Sequence, residues 1–335
     1  MLARGLAARG HRQLVITPKD SALEARARDA GLTTAPLPSG PLAVLRHVRG
    51  FDVVHTHSGR AQSPVWLLRP LLRAVRVATR HVAFEPTNRI VHRWKYGRGC
   101  DGVIAVSQAV RGILVRAGVP DIKIEVIATG VKFPRALPSA EERAAARTAF
   151  GLVESDFVIG HLGAFTPEKG QDIAVGAAAL LRESLPQAHF VLAGDGPLAA
   201  ALRDQTNREH ARVAFPGFLV ERSQFFAALD LFIMPSRAEA WGLAALEAMA
   251  YAVPVIATDV GGLAEIVSPQ EGGRLVLAGD AAALADAIKG AALDREGLCL
   301  EGLKGRERAR GFSAEQTVER TEAFYRRLLN AAGRR

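Results

Sequence analysis

Two acids in one short segment could do chemistry. Glu239 and Glu247 lie in the run Pro235-Ser236-Arg237-Ala238-Glu239-Ala240-Trp241-Gly242-Leu243-Ala244-Ala245-Leu246-Glu247-Ala248-Met249-Ala250. It reads as a strand end, a loop and a helix opening at Gly242. The first N–H groups of a helix have no partner within it, so Gly242 and the residues after it would offer a site to an anion. A carboxylate beside such a site is electrostatically costly unless it holds hydroxyls, and sugar or ribose hydroxyls are donors that two carboxylates can grip. Taken alone, the pair also has a plainer reading, with Glu239 as a helix cap and Glu247 as a solvated or core-paired acid.

Histidines form a second set. His55 and His57, in Val53-Val54-His55-Thr56-His57-Ser58, and His81, in Ala78-Thr79-Arg80-His81, stand at the ends of predicted strands, where open α/β sheets place ligands. With Arg80 they are candidates for the side of the site that receives an acceptor. Ser107, in Ala105-Val106-Ser107, reads as a helix cap. Between and beyond them, Arg69, Arg73, Arg76, Arg80, Arg89, Arg93, Lys95 and Arg98 are interleaved with Trp66, Phe84, Trp94 and Tyr96. Basic residues among interfacial aromatics suit an anionic membrane leaflet, where each contributes about 1 kcal/mol. No nucleic-acid module accompanies them, so nucleic acid is not expected as a partner; the remaining alternative is a solvated Arg-rich face. Cys100 and Cys299 are the only cysteines and no Asp-x-Asp occurs, so no metal site is expected.

The elements that must position these residues alternate. Short Val/Ile-rich runs are followed by longer Ala/Leu/Arg segments of helical spacing, the pattern of parallel α/β architecture. Candidate strands are 13–17, 52–57, 76–81, 102–107 and 124–129, then 157–163, 189–194, 212–215, 230–235, 253–258 and 273–277. The alternation restarts after Phe133-Pro134-Arg135-Ala136-Leu137-Pro138, whose proline content marks a linker. At 335 residues, with 49% hydrophobic and 23% charged side chains, the chain suits two doubly wound domains and excludes a disordered or fibrous class. Such domains facing each other would leave a cleft at the carboxyl ends of their strands. Residues 1–135 carry 22 Lys and Arg against 8 Asp and Glu, whereas the remainder carries 21 against 26. A basic first half and a mildly acidic second half imply different partners, with the first half facing something anionic. No apolar run is long enough to span a membrane and no signal sequence follows Met1, so the expected location is the cytoplasm.

Residues 230–267, including Glu239 and Glu247 as a Glu-x7-Glu pair and the run Val253-Pro254-Val255-Ile256-Ala257-Thr258-Asp259-Val260-Gly261-Gly262-Leu263-Ala264-Glu265-Ile266-Val267, resemble the signature of glycosyltransferase family 4. The resemblance extends through His161-Leu162-Gly163, Pro167-Glu168-Lys169-Gly170 and Leu192-Ala193-Gly194-Asp195-Gly196-Pro197, and covers nearly the whole chain. It implies the α/β GT-B fold: two facing Rossmann-like domains with the donor and acceptor between them. Residues 1–135 would bind the acceptor, residues 136–311 the nucleotide sugar, and a helix within 312–335, capped by Ser313 with Gln316 three residues on, would return to the first domain.

The resemblance also implies roles. Glu247 would hold the ribose hydroxyls of a nucleotide-diphosphate sugar, a UDP- or GDP-sugar, and Glu239 would contact the transferred sugar. Gly242 and Leu243 would offer N–H groups to the diphosphate and Lys169 would pair with it, stabilising the charge the leaving group gains. Gly163, Gly194, Asp195 and Gly196 would shape the nucleotide pocket, though the last three could equally be an ordinary tight turn. Phe218 and Leu219 would lie beside the base and His81 beside the donor sugar. No separate cofactor is implied. The reaction would be retaining and metal-independent, with a lipid-linked or glycan acceptor in lipopolysaccharide or other envelope glycan synthesis, at the inner face of the plasma membrane.

Two departures from the family pattern stand out. Ala164 occupies a position where an arginine usually meets the diphosphate; either an arginine such as Arg237 substitutes, or Lys169 and the helix start suffice, or activity is weak. The sequence also opens inside the helix ending Arg9-Gly10-His11, where the family pattern implies a preceding strand and Gly-rich loop; a protein without them would leave neighbouring ladder groups unpaired at about 1–3 kcal/mol each, so a start placed too far downstream is the simpler expectation. Rival readings are a nucleotide-sugar epimerase, a phosphorylase and, chiefly, a non-catalytic or degraded sugar-nucleotide-binding protein of the same fold.

Overall fold

A computed structural model describes residues 1–85 and 88–333. The chain forms two compact units, residues 1–130 together with the segment from Ala314 onward, and Val131–Ser313. Val131 falls in the second because its N–H donates to Phe312 O (3.0 Å) and it bridges to Ser313, ahead of the Pro134–Pro138 segment.

In the first unit the strands are β1 (Val15–Thr17), β2 (Thr34–Pro36), β3 (Val53–Thr56), β4 (Val75–Arg80), β5 (Gly102–Ala105) and β6 (Ile124–Val126). All pairings are parallel, in two pieces: β1 with β2, and β3-β4-β5-β6. Among the described residues no ladder joins β1 to β3. β2 escapes a reading by pattern because Thr34-Ala35-Pro36 is too short and ends in a proline. One face of the four-stranded sheet packs Val75, Val77 and Ile104 against Phe324 of the C-terminal helix Ala314–Ala331. Thr317 secures the return of that helix, its hydroxyl accepting from Gly130 N–H (2.8 Å) and donating to Ala128 O (2.9 Å).

The second unit holds one six-stranded parallel sheet. Its strands are β7 (Phe157–Leu162), β8 (Ala188–Ala193), β9 (Val213–Gly217), β10 (Leu231–Met234), β11 (Val255–Thr258) and β12 (Gly273–Val276), in the order β12-β11-β10-β7-β8-β9. Helices cover the sheet, so β7, β10 and β11 are buried along their lengths and read as continuous apolar runs rather than alternating ones. Phe157, Ile159, Phe190, Leu192, Leu231 and Ile233 meet helix residues Ala174, Ala177, Leu181, Leu284 and Ile288. Each large side chain fully buried there contributes about 1.5–3 kcal/mol. The order reverses between β7 and β10: the chain builds outward from β7 one way, then returns to β10 and builds the other way. Loops diverge at such a switch point and leave room for a ligand at the carboxyl ends of the strands.

Candidate functional site

The loop after β7 (Gly163–Gly170) and the loop after β10 (Pro235–Gly242) flank the switch point and are tied together. Arg237 and Ala238 N–H both donate to Glu168 O, at 2.8 and 3.3 Å. A third loop, after β11, joins them through Gly262 N–H to Glu239 O (3.1 Å). These bonds bring Lys169 to Glu239, with Nζ 2.6 Å from Oε2 and both side chains largely buried. Glu239 caps no helix: the cap of the helix Leu243–Ala250 is Gly242, whose φ of +101° suits glycine. Leu243 and Ala244 N–H take no backbone acceptor among the described residues, which leaves the helix start open to an anion.

Glu247, on that helix, is neither solvated nor buried in the core. Arg222 Nη1 donates to its two carboxylate oxygens at 3.1 and 2.9 Å. Arg222 precedes the helix Ser223–Ala228 and carries no local signal that would single it out in the sequence.

Gly194 and Asp195 lie beside the first loop. Gly194 has a φ of +142°, and a Cβ there would lie 1.8 Å from Gly163 O, so only glycine allows the two loops this approach. Asp195 O accepts from Phe165 N–H (2.9 Å) and its Oδ1 from Gly196 N–H (2.7 Å). Gly163 N–H is spent on Ala193 O. Phe218 is exposed and Leu219 half-buried just after β9.

His161, within β7, is fully buried. Its Nδ1 faces Ile233 O (3.1 Å) and its Nε2 faces the Gln171 amide nitrogen (3.1 Å). A carbonyl only accepts, so Nδ1 carries the proton and Nε2 accepts from Gln171, which also donates to Ala164 O. Burial pushes the imidazole down to about 4, with Lys169 adding to the effect.

Arg237, one candidate for the charge missing at Ala164, is paired with an acid. Its guanidinium grips Asp172 at 2.8 and 2.6 Å and Pro167 O at 3.1 Å, a bidentate pair that would have to open before Arg237 met a second anion.

In the first unit the histidines divide. His55 is closed off as an acceptor contact because both ring nitrogens are occupied, Nδ1 by Tyr325 OH (2.5 Å) and Nε2 by Thr79 Oγ1 (2.7 Å). Burial holds it well below its usual value, reinforced by His57 and His81. Tyr325 comes from the C-terminal helix, a partner that local pattern does not reveal. The His57 ring is tilted against His55 with centroids 4.1 Å apart and stacks on His81 at 5.6 Å, its Nδ1 lying 3.3 Å from His81 Nε2; both residues are exposed. Ser107 is the cap its position predicts, accepting from Val110 N–H at 3.1 Å.

The basic stretch is not one solvated face. Arg76 and Arg80 are buried, Tyr96 packs inward and Trp66 is half-buried, while Phe84, Ile90 and Trp94 face out. Arg98 lies 4.2 Å over the Trp94 ring. Among the described residues no three His, Cys, Asp or Glu side chains converge to hold a metal ion, and no helix is long and apolar enough to cross a membrane.

Residues 1–133 match the family described as Glycosyltransferase Family 4, and residues 156–294 match Glycosyl transferases group 1. The chain is 33% identical over 294 residues to a D-inositol 3-phosphate glycosyltransferase of Nocardia farcinica, covering 80% of this chain and 65% of that protein, just under two thirds of its length. It is 31% identical over 289 residues to the lipopolysaccharide core biosynthesis mannosyltransferase LpsB of Rhizobium meliloti, covering 83% of this chain and 80% of that one. Among solved structures, Anabaena Alr3699/HepE in complex with UDP and glucose superposes with a TM-score of 0.89 at 24% identity, over 96% of this chain and 94% of that one. The sucrose-phosphate synthase of Thermosynechococcus elongatus gives 0.83 at 26%, over 98% and 92%.

Proposed function

Because this chain belongs to the family 4 glycosyltransferases and has their GT-B fold, we propose that it transfers a sugar, with retention, from a UDP- or GDP-sugar to an acceptor hydroxyl without a metal ion. The observation that carries this reading is the meeting of Lys169, Glu239 and the open helix start at Gly242 around the switch point of one sheet. Lys169 and the N–H groups of Gly242 and Leu243 take the diphosphate, Glu247 the ribose hydroxyls and Glu239 the hydroxyls of the transferred sugar. Gly163, Gly194, Asp195 and Gly196 form the floor of the nucleotide site, with Phe218 and Leu219 beside the base.

The first unit takes the acceptor near His57, His81 and Arg80, with the His55 ring packed against His57. The acceptor oxygen attacks the anomeric carbon on the face from which the diphosphate leaves. The old anomeric C–O bond breaks as the new one forms, and the acceptor proton passes to a diphosphate oxygen. Lys169 lowers the barrier by holding the charge that develops there. Exposed Phe84, Ile90 and Trp94 among basic residues seat the protein on an anionic leaflet, as suits a lipid-linked acceptor in envelope glycan synthesis.

A second reading, a sugar-nucleotide-binding protein without turnover, is favoured by Ala164 alone. Calorimetric titration with UDP-, GDP- and ADP-sugars in EDTA tests the first reading. Saturable binding of one of them, lost in Glu247→Ala, is the expected result, and release of nucleotide on adding a glycan acceptor separates the two readings. Absence of binding by every nucleotide sugar overturns both.

A further inference from the structure

Three arginines are buried in this molecule as described: Arg76, Arg80 and Arg147. Two of them meet carboxylates, Arg76 on Asp101 and Arg147 on Asp230. Arg80, only 2% exposed, meets none. Its Nη1 lies 2.7 Å from His92 Nε2, its Nη2 donates to Phe84 O (2.5 Å), and its Nε is buried with no partner.

The vacant position lies on a particular edge of the guanidinium. Nε–H and one Nη2–H point the same way, and this molecule uses that edge to grip carboxylates elsewhere. Arg76 holds Asp101 with Nε at 2.9 and Nη2 at 2.6 Å, and Arg111 holds Asp121 at 2.8 and 2.6 Å. In Arg80 the same edge is half filled by a neutral carbonyl and half empty.

The surroundings do not neutralise the charge. Tyr96 keeps its proton through burial against the pull of Arg80, whose guanidinium also donates to its hydroxyl, a neutral partner. Burial, Arg80 and Lys95 together hold His92 down to about 4, so it is uncharged at neutral pH. Glu85, the acid closest in sequence, is committed to Arg116 at 2.8 Å. A buried charge without a counter-ion costs several kcal/mol, and a bidentate oxyanion is the partner that best offsets that cost.

We propose that the Nε–Nη2 edge of Arg80 is the receptor for a phosphate-ester oxyanion carried by the acceptor. One phosphate oxygen takes Nη2 from the Phe84 carbonyl and a second takes Nε. The Val82–Glu85 segment that supplies this carbonyl lies at the surface, with Phe84 itself 65% exposed, so the exchange does not open the core. The inference rests on reading the first unit as the acceptor side, and it narrows the acceptor to phosphorylated molecules, either soluble or presented as a lipid headgroup.

The test is nitrogen-15 NMR of the arginine Nε–H groups in the full chain carrying Lys169→Ala, which removes the competing diphosphate contact. Inorganic phosphate and glycerol phosphate form one arm; phosphatidylcholine vesicles doped with phosphatidic acid form the other. The expected result is a saturable shift of the Arg80 Nε–H signal in at least one arm, which also identifies the source of the phosphate. Arg80→Lys, which keeps the charge without the fork, should weaken binding about tenfold, and Arg80→Gln should abolish it. An Arg80 signal that neither arm moves, or binding unchanged in Arg80→Gln, overturns the proposal. UDP-sugar affinity of Arg80→Gln, measured with Lys169 intact, should be unchanged, so failure of the donor site is read separately.

Discussion

Lys169 and Glu239 are joined by an ion pair of 2.6 Å across the point where the strand order of the second unit reverses. In the proposed reaction each has a different substrate partner, the diphosphate for one and the sugar for the other. The pair therefore holds both side chains in place before the donor arrives and must open when it binds.

Lys169→Ala should consequently reduce turnover far more than donor affinity, with kcat falling on the order of a hundredfold as the leaving group loses its cation. Steady-state kinetics beside calorimetric titration check this. Equal losses in both quantities would assign Lys169 to ground-state binding alone.

Arg222 is expected to act through Glu247. Arg222→Ala frees a carboxylate now anchored at 2.9 and 3.1 Å, and nucleotide affinity should fall about tenfold, the scale of one charge-assisted hydrogen bond. Arg222→Lys, which restores a charge but not the geometry, should recover part of it, and comparison of the three affinities decides.

Ala164 is exposed in the first loop, so an arginine side chain there meets no core. Ala164→Arg should leave the melting temperature within about 2 °C and raise kcat/KM severalfold by adding a second cation at the diphosphate. A rate that does not rise would mean Lys169 and the helix start already neutralise the leaving group.

His161 makes stability depend on pH. The unfolded imidazole takes its proton near 6.5, whereas the buried one resists until about 4. As pH falls through that window the unfolded state binds the proton first, so stability is lost downward, by about 3 kcal/mol in all. His161→Gln removes this dependence. The gap in melting temperature between wild type and variant should narrow from pH 7 to pH 4, and a constant gap would contradict the buried, neutral assignment.

Much of the architecture is legible in local pattern. The buried strands Phe157–Leu162, Leu231–Met234 and Val255–Thr258 declare themselves because a parallel strand covered on both faces must be continuously apolar. Gly242 marks the helix start and Ser107 its own cap because those are contacts within a few residues of chain. Which charge meets which is a matter of how distant segments pack. Lys169 finds Glu239 and Arg222 finds Glu247 through strand order and register, which no local pattern records. Arg237 pairs with Asp172. His55 is sealed by Tyr325 from the far end of the chain, whereas His57 and His81, with similar sequence surroundings, stay at the surface. The difference in exposure is set by distant segments, while burial holds the imidazoles of all three below their usual value; packing also leaves Arg80 Nε without a partner.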